Sequence, residues 1–89
     1  MTKTPRQSVP TVTTPVTPAL ANVFYAEIAN DTDSAISCGV YDGGGMAIIP
    51  YQPINARGLL VYQSAPGSPS KGLCWKASQT GLCGWFFGE

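Results

Sequence analysis

The sequence predicts an all-β protein: a small antiparallel β-sandwich or barrel of about six strands with an extended N-terminal arm. Three observations predict it. Val23, Tyr25 and Glu27 interleave with Phe24, Ala26 and Ile28, and Ile36, Cys38 and Val40 later alternate with Ser37 and Gly39, the period of two that a half-buried strand requires. Further short apolar runs follow at close spacing, each bounded by glycine or proline. No apolar face recurs at helical spacing over a stretch long enough for a helix.

The first 20 residues are mostly Thr, Pro, Val and Ser, with Pro5, Pro10, Pro15 and Pro18 recurring through them. Each proline fixes φ and biases its predecessor toward extended backbone, so no helix survives that spacing. A 20-residue extended arm reaches up to ~65 Å and, having no core of its own, is expected to be held by another surface. Residues 21–89 form the β domain. Within it, residues 21–41 read as a β-hairpin whose turn is Asn30-Asp31-Thr32-Asp33-Ser34. Phe24, Ala26 and Ile28 are expected inward on its first strand, and Ile36, Cys38 and Val40 on its second.

Asp42-Gly43-Gly44-Gly45 is a loop, since glycine turns the backbone without a Cβ penalty. It is no phosphate loop, because neither a Gly-Lys-Ser/Thr nor a helix follows. Met46–Ile49 is a short strand ended by Pro50, and Tyr51–Gly58 crosses to another sheet or edge. Leu59–Gln63 is a strand, Ala65–Gly72 a loop, Leu73–Ala77 a strand, Ser78–Gly81 a turn and Leu82–Phe87 the last strand. In that strand Trp85 and Phe87 point one way and Phe86 the other. Trp75, Trp85, Phe86 and Phe87 crowd into 13 residues. Apolar character on both faces means burial on both sides or contact with a partner, and these four residues are the expected subunit or partner interface.

Charge is sparse, with five basic and five acidic side chains. Lys3 and Arg6 give residues 1–20 a charge of +2, and the remainder carries −2, so the arm suits an acidic surface. There is no basic stripe interleaved with aromatics, which argues against nucleic-acid binding. No run approaches the ~20 apolar residues that span a bilayer, and no signal-peptide apolar region precedes the domain. Catalysis lacks its usual base, because the chain has no His. Asp31 and Asp33 resemble the start of a calcium loop, but its glycine and its bidentate Glu do not follow. No catalytic residue, metal site or cofactor is expected. Cys38, Cys74 and Cys83 make an odd count, read as three small buried residues, with a Cys74–Cys83 bridge across a second hairpin as the alternative.

A threonine- and proline-rich arm precedes a strand Val23-Phe24-Tyr25-Ala26-Glu27-Ile28-Ala29-Asn30, a polar turn and a strand ending Gly39-Val40-Tyr41-Asp42. With the Arg57-Gly58 turn, the strand Gly72–Ser78 and the closing Trp85-Phe86-Phe87-Gly88-Glu89, this resembles small tailed-bacteriophage virion proteins, among them capsid decoration or cement proteins. The resemblance is architectural and runs along most of the chain. It implies a non-enzymatic protein on the capsid exterior, made in the host cytoplasm, homo-oligomeric (trimeric by preference) and bound to the major capsid protein. The arm would lie across neighbouring capsid subunits through Thr4, Arg6, Val9, Val12 and Val16 and the prolines Pro5, Pro10 and Pro15. On that reading, deleting residues 2–18 abolishes shell binding and leaves the domain folded. The alternatives are a head-fibre, neck or tail accessory, or a secreted β module with Cys74 joined to Cys83.

Overall fold

The computed structural model describes residues 2–20, 22–63 and 73–89. The Ala65–Gly72 loop expected from composition lies outside the described residues. Among the described residues nine strands form two antiparallel sheets: β1 (Thr2–Lys3), β2 (Gln7–Ser8), β3 (Thr14–Pro15), β4 (Val23–Asn30), β5 (Ile36–Asp42), β6 (Ala47–Ile54), β7 (Leu59–Gln63), β8 (Leu73–Ala77) and β9 (Leu82–Gly88). Sheet A runs β1-β9-β4-β7, with β2 also on β9, and sheet B runs β3-β8-β5-β6. Their inner faces share one core, in which Trp75 of sheet B meets Phe86 of sheet A at 5.1 Å between ring centroids. The predicted all-β sandwich is the architecture observed.

The expected hairpin is not one. β4 pairs with β7 and β9, and β5 pairs with β6 and β8, so residues 31–35 carry the chain from one sheet to the other. Asn30 makes this corner. It is 1% exposed, and its amide nitrogen donates to the carbonyls of Ser34 (2.8 Å) and Ile54 (2.9 Å). Its Oδ1 accepts from the Thr32 amide (3.0 Å) and hydroxyl (2.7 Å). The polar break is thus wound around one buried side chain rather than closed as a tight turn. Arg57, at φ 59°, ties the return crossover to the same corner, donating to Asp31 O (2.8 Å) and Asp33 Oδ1 (2.8 Å).

Strand phase follows the expected alternation in β5, where Ile36, Cys38 and Val40 are buried. In β4 a bulge between Val23 and Tyr25 slips the phase: Val23 is buried and Phe24 only half-buried, which corrects the inward placement of Phe24. β6 does not end at Pro50 but runs through Pro50 and Pro53 to Ile54. It is the edge of sheet B, where a missing N–H disrupts no ladder on the open side. The β5–β6 connection is the true hairpin, with Gly45 at φ 86° and the Asp42 carboxylate accepting from the Gly44 and Met46 amides, each at 2.9 Å.

The N-terminal segment is extended, but it is held by its own domain. Thr2 and Lys3 pair with Gly88 and Phe87, Gln7 and Ser8 with Gly84 and Cys83, and Thr14 and Pro15 with Trp75 and Cys74. Backbone bonds between these stretches, including Thr4 N to Phe86 O (2.8 Å), Val9 N to Leu82 O (2.9 Å), Ala77 N to Pro10 O (2.8 Å) and Val16 N to Leu73 O (2.8 Å), stitch it across the edges of both sheets. Val9 and Val16 are each 2% exposed and belong to the core. The idea that this segment needs an external surface to hold it is therefore corrected.

Deleting residues 2–18 should now unfold the domain rather than spare it. Two buried valines contribute roughly 1.5–3 kcal/mol each, against a total stability of about 5–15 kcal/mol. A cooperative thermal transition near that of the full chain, followed by circular dichroism, would contradict this. Asn30→Leu, which strands the Ile54 carbonyl and the Thr32 donors, should cost about 2–4 kcal/mol in chemical denaturation, while the exposed neighbour variant Asp31→Ser stays within about 0.5 kcal/mol of wild type.

Candidate contact surface

The outer face of sheet A is built by the odd-numbered residues of β7, of β9 and of β4 beyond its bulge, from Tyr25 on. Antiparallel register sets them in rows. Gln63, Tyr25, Phe87 and Lys3 form one, Val61, Glu27 and Trp85 the next, and Leu59, Ala29, Cys83 and Ser8 the third. Cross-strand neighbours in a row share a face, so the middle of the molecule's broad side is aromatic and aliphatic. Tyr25 and Trp85 lie 5.3 Å apart between centroids, and Lys3 Nζ sits 4.4 Å from the centre of the Trp85 ring. Leu59 is 55% and Val61 48% exposed. Tyr25, Trp85 and Phe87 are half-buried, and among the described residues no strand is layered on this face.

Glu27 is the only carboxylate in these rows. The Tyr25 hydroxyl donates to its Oε2, which quiets the charge in the middle of an apolar field. That hydrogen bond, then burial, then the negative charge of Glu27 hold the Tyr25 phenol above its ordinary range.

The expected interface residues divide. Trp85 and Phe87 are half-buried on this face, with the opposite phase to Phe86, as anticipated. Trp75 and Phe86 are each 1% exposed and occupied with each other in the core, which removes both from any surface contact. Of the arm positions, Thr4, Val9 and Val16 are buried and Pro10 half-buried, whereas Pro5, Arg6, Val12 and Pro15 are exposed. Thr4 is spent internally, its hydroxyl accepting from the Phe86 amide at 2.9 Å. Sequence reasoning missed Tyr25, Leu59 and Val61. The signal was present in Leu59-Leu60-Val61-Tyr62, which is apolar on both phases just as the closing strand is.

Other candidates are engaged otherwise. Asp33 pairs with Arg57 at 2.8 Å in an exposed bridge, and Asp31 and Asp33 lie in the inter-sheet corner. Among the described residues no three His, Cys, Asp or Glu side chains gather as metal ligands, and no helix is long and apolar enough to cross a membrane. A shallow depression of about 400 Å³ on the outer face of sheet B is lined by Tyr41, Asp42, Cys74 and Lys76 among others.

β8 and β9 are not a hairpin either, since they lie in different sheets. Cys74 alternates with buried Leu73 and Trp75, and Cys83 with buried Leu82 and Gly84. The two thiols therefore face outward from opposite sheets and are free, which excludes the Cys74–Cys83 bridge within one chain. Cys38 is buried, and that burial pushes its thiol up to about 11. Comparison with protein-family models, curated proteins and solved structures finds no match.

A thiol reagent at neutral pH should label Cys74 and Cys83 in the folded protein and reach Cys38 only after denaturation. Intact-mass measurement reads this as two adducts native and three denatured. A single native adduct, or none, would contradict the outward placement.

Proposed function

We propose that this protein is a non-enzymatic structural component of a virion, a decoration or cement subunit that sits on the capsid exterior and binds the major capsid protein. The observation that carries the reading is the outer face of sheet A: half-buried Tyr25, Trp85 and Phe87 beside exposed Leu59 and Val61, with no strand layered on them among the described residues. Monomeric proteins seldom leave a contiguous apolar patch of this kind open to water. Trp85 and Tyr25 are of the residue types that dominate contact energies, and Lys3 and Ser8 supply a polar rim. The virion setting rests on the sequence resemblance.

The mode of attachment differs from the one the sequence suggested. A segment whose Thr4, Val9 and Val16 are buried in its own domain has no length to spare for spanning neighbours. We therefore assign attachment to the sheet face, with the N-terminal segment acting inside the domain. A neck or tail accessory would use the same surface, whereas the secreted module lost its main support with the Cys74–Cys83 bridge.

Trp85→Ala should lower co-sedimentation with particles assembled without this protein by at least about tenfold, the scale of a single contact hot spot, while the fold is kept. Arg6→Ala with Val12→Ser, on the exposed side of the N-terminal segment, should leave co-sedimentation within about twofold. The reverse pattern would return attachment to the arm. Undiminished binding of both variants would remove the sheet face from the proposal.

A further inference from the structure

β7 is the open edge of sheet A. Its register with β4 and the bond from Asn30 N to Gly58 O (2.9 Å) fix which way its backbone points. Hydrogen-bonded pairs alternate in an antiparallel ladder, so Gly58, Leu60 and Tyr62 face β4. Leu59, Val61 and Gln63 direct their N–H and C=O groups away from it. Among the described residues no strand pairs with that side.

Every other sheet edge carries a device against pairing. Sheet A ends at its far side in two-residue strands flanking Pro5, and sheet B ends in β3 with Pro15 and in β6 with Pro50, Pro53 and two register shifts. Short strands, prolines and bulges are the usual guards of an edge. β7 has no proline, no charge and no register shift over its five residues.

We propose that β7 pairs with β7 of a second copy, antiparallel about a two-fold axis at Val61. The strand is complementary to itself. Val61 falls opposite Val61 of the partner subunit and Leu59 opposite Gln63 of the partner subunit, so the three outward-pointing residues on each copy exchange N–H···O bonds completely. Because β7 bears no charge, no like charges face each other within the strand pair itself. Leu59 and Val61, the exposed apolar residues of the strand, gain cross-strand neighbours, and the apolar face of sheet A continues across both copies. This contact is isologous and closes with two copies, so it replaces the trimer expected from the resemblance. It does not depend on the virion reading.

Sedimentation of the isolated protein tests it. The wild type should move from 9.3 kDa toward twice that mass in the micromolar range, as suits a contact smaller than ~1,200 Å². Val61→Lys opposes two cations across the axis, and Val61→Pro removes an outward N–H without touching the β4 ladder. Val61→Pro should weaken association at least about tenfold, and Val61→Lys, whose cations each sit beside their own Glu27, several-fold, while Val61→Thr retains it. Hydrogen exchange adds a readout that misfolding does not mimic. In the wild-type dimer the Leu59, Val61 and Gln63 amides are slow, in Val61→Lys the Leu59 and Gln63 amides become fast, and Leu60 and Tyr62 stay slow in both. A wild-type monomer at all these concentrations, or a dimer that survives both disruptive variants, overturns the proposal. So do fast outward amides within a dimer, or outward amides slowed only when a different protein is added.

Discussion

Trp75 packed on Phe86 is the contact around which the rest is arranged. It joins two sheets through a single layer of side chains, and the geometry leaves no slack. A Cβ at Gly84 would lie 2.9 Å from the Trp75 ring and 2.8 Å from the Glu27 carbonyl, so only glycine lets the indole lie against the backbone of β9. A domain this small buries only about 60% of its unfolded surface. Its two largest core aromatics must therefore be shielded on every side, including the flank where β8 and β9 would otherwise be sheet edges.

That requirement explains the N-terminal segment. β1 and β2 cap β9, β3 caps β8, and the chain between them closes the gap between the sheets. Val9 enters beside Leu82 and Val16 beside Leu73, delivered by backbone bonds from their own amides. The prolines suit this work, because an outermost ribbon pairs on one side only and can leave alternate N–H groups out. The opposite flank is closed by other means: the two crossovers, 31–35 and 55–58, are tied together by Asn30 and Arg57. The exposed Arg57–Asp33 bridge adds at most about 1 kcal/mol, so the buried Asn30 amide carries this corner.

Much of the fold was legible in the sequence, and the limits have physical causes. Alternation reports which face a residue occupies, and it did so for Ile36, Cys38 and Val40 and for Trp85 and Phe87 against Phe86. Alternation says nothing about which strand lies alongside. β4 and β5 look like hairpin partners because five turn-forming residues separate them, and only the buried position of Asn30 shows that the chain changes sheets there. The strand limits of β7 and β8 were readable from flanking turn residues. Those of β6 were not, since proline is a terminator in a central strand but tolerable at an edge. The N-terminal segment misled for the same reason: its composition suits a free arm and an edge ribbon equally, and the choice is made by a core it does not itself contain. As for the contact surface, Trp85 and Phe87 were visible, while Trp75 and Phe86 share their composition and differ only in phase.

The division between these two aromatic pairs bears on function through charge as well as burial. The chain carries only ten formal charges, and few lie on the outer face of sheet A. Lys3 is drawn over Trp85, and Glu27 is hydrogen-bonded by Tyr25. Each ion already has one contact on the aromatic surface itself, so a partner that covers the face meets them partly satisfied. Burying a free carboxylate would cost several kcal/mol, whereas Glu27 already accepts a hydrogen bond from Tyr25 and Lys3 already rests on a ring. That partial satisfaction of both ions is the physical ground on which the face is proposed as a contact surface.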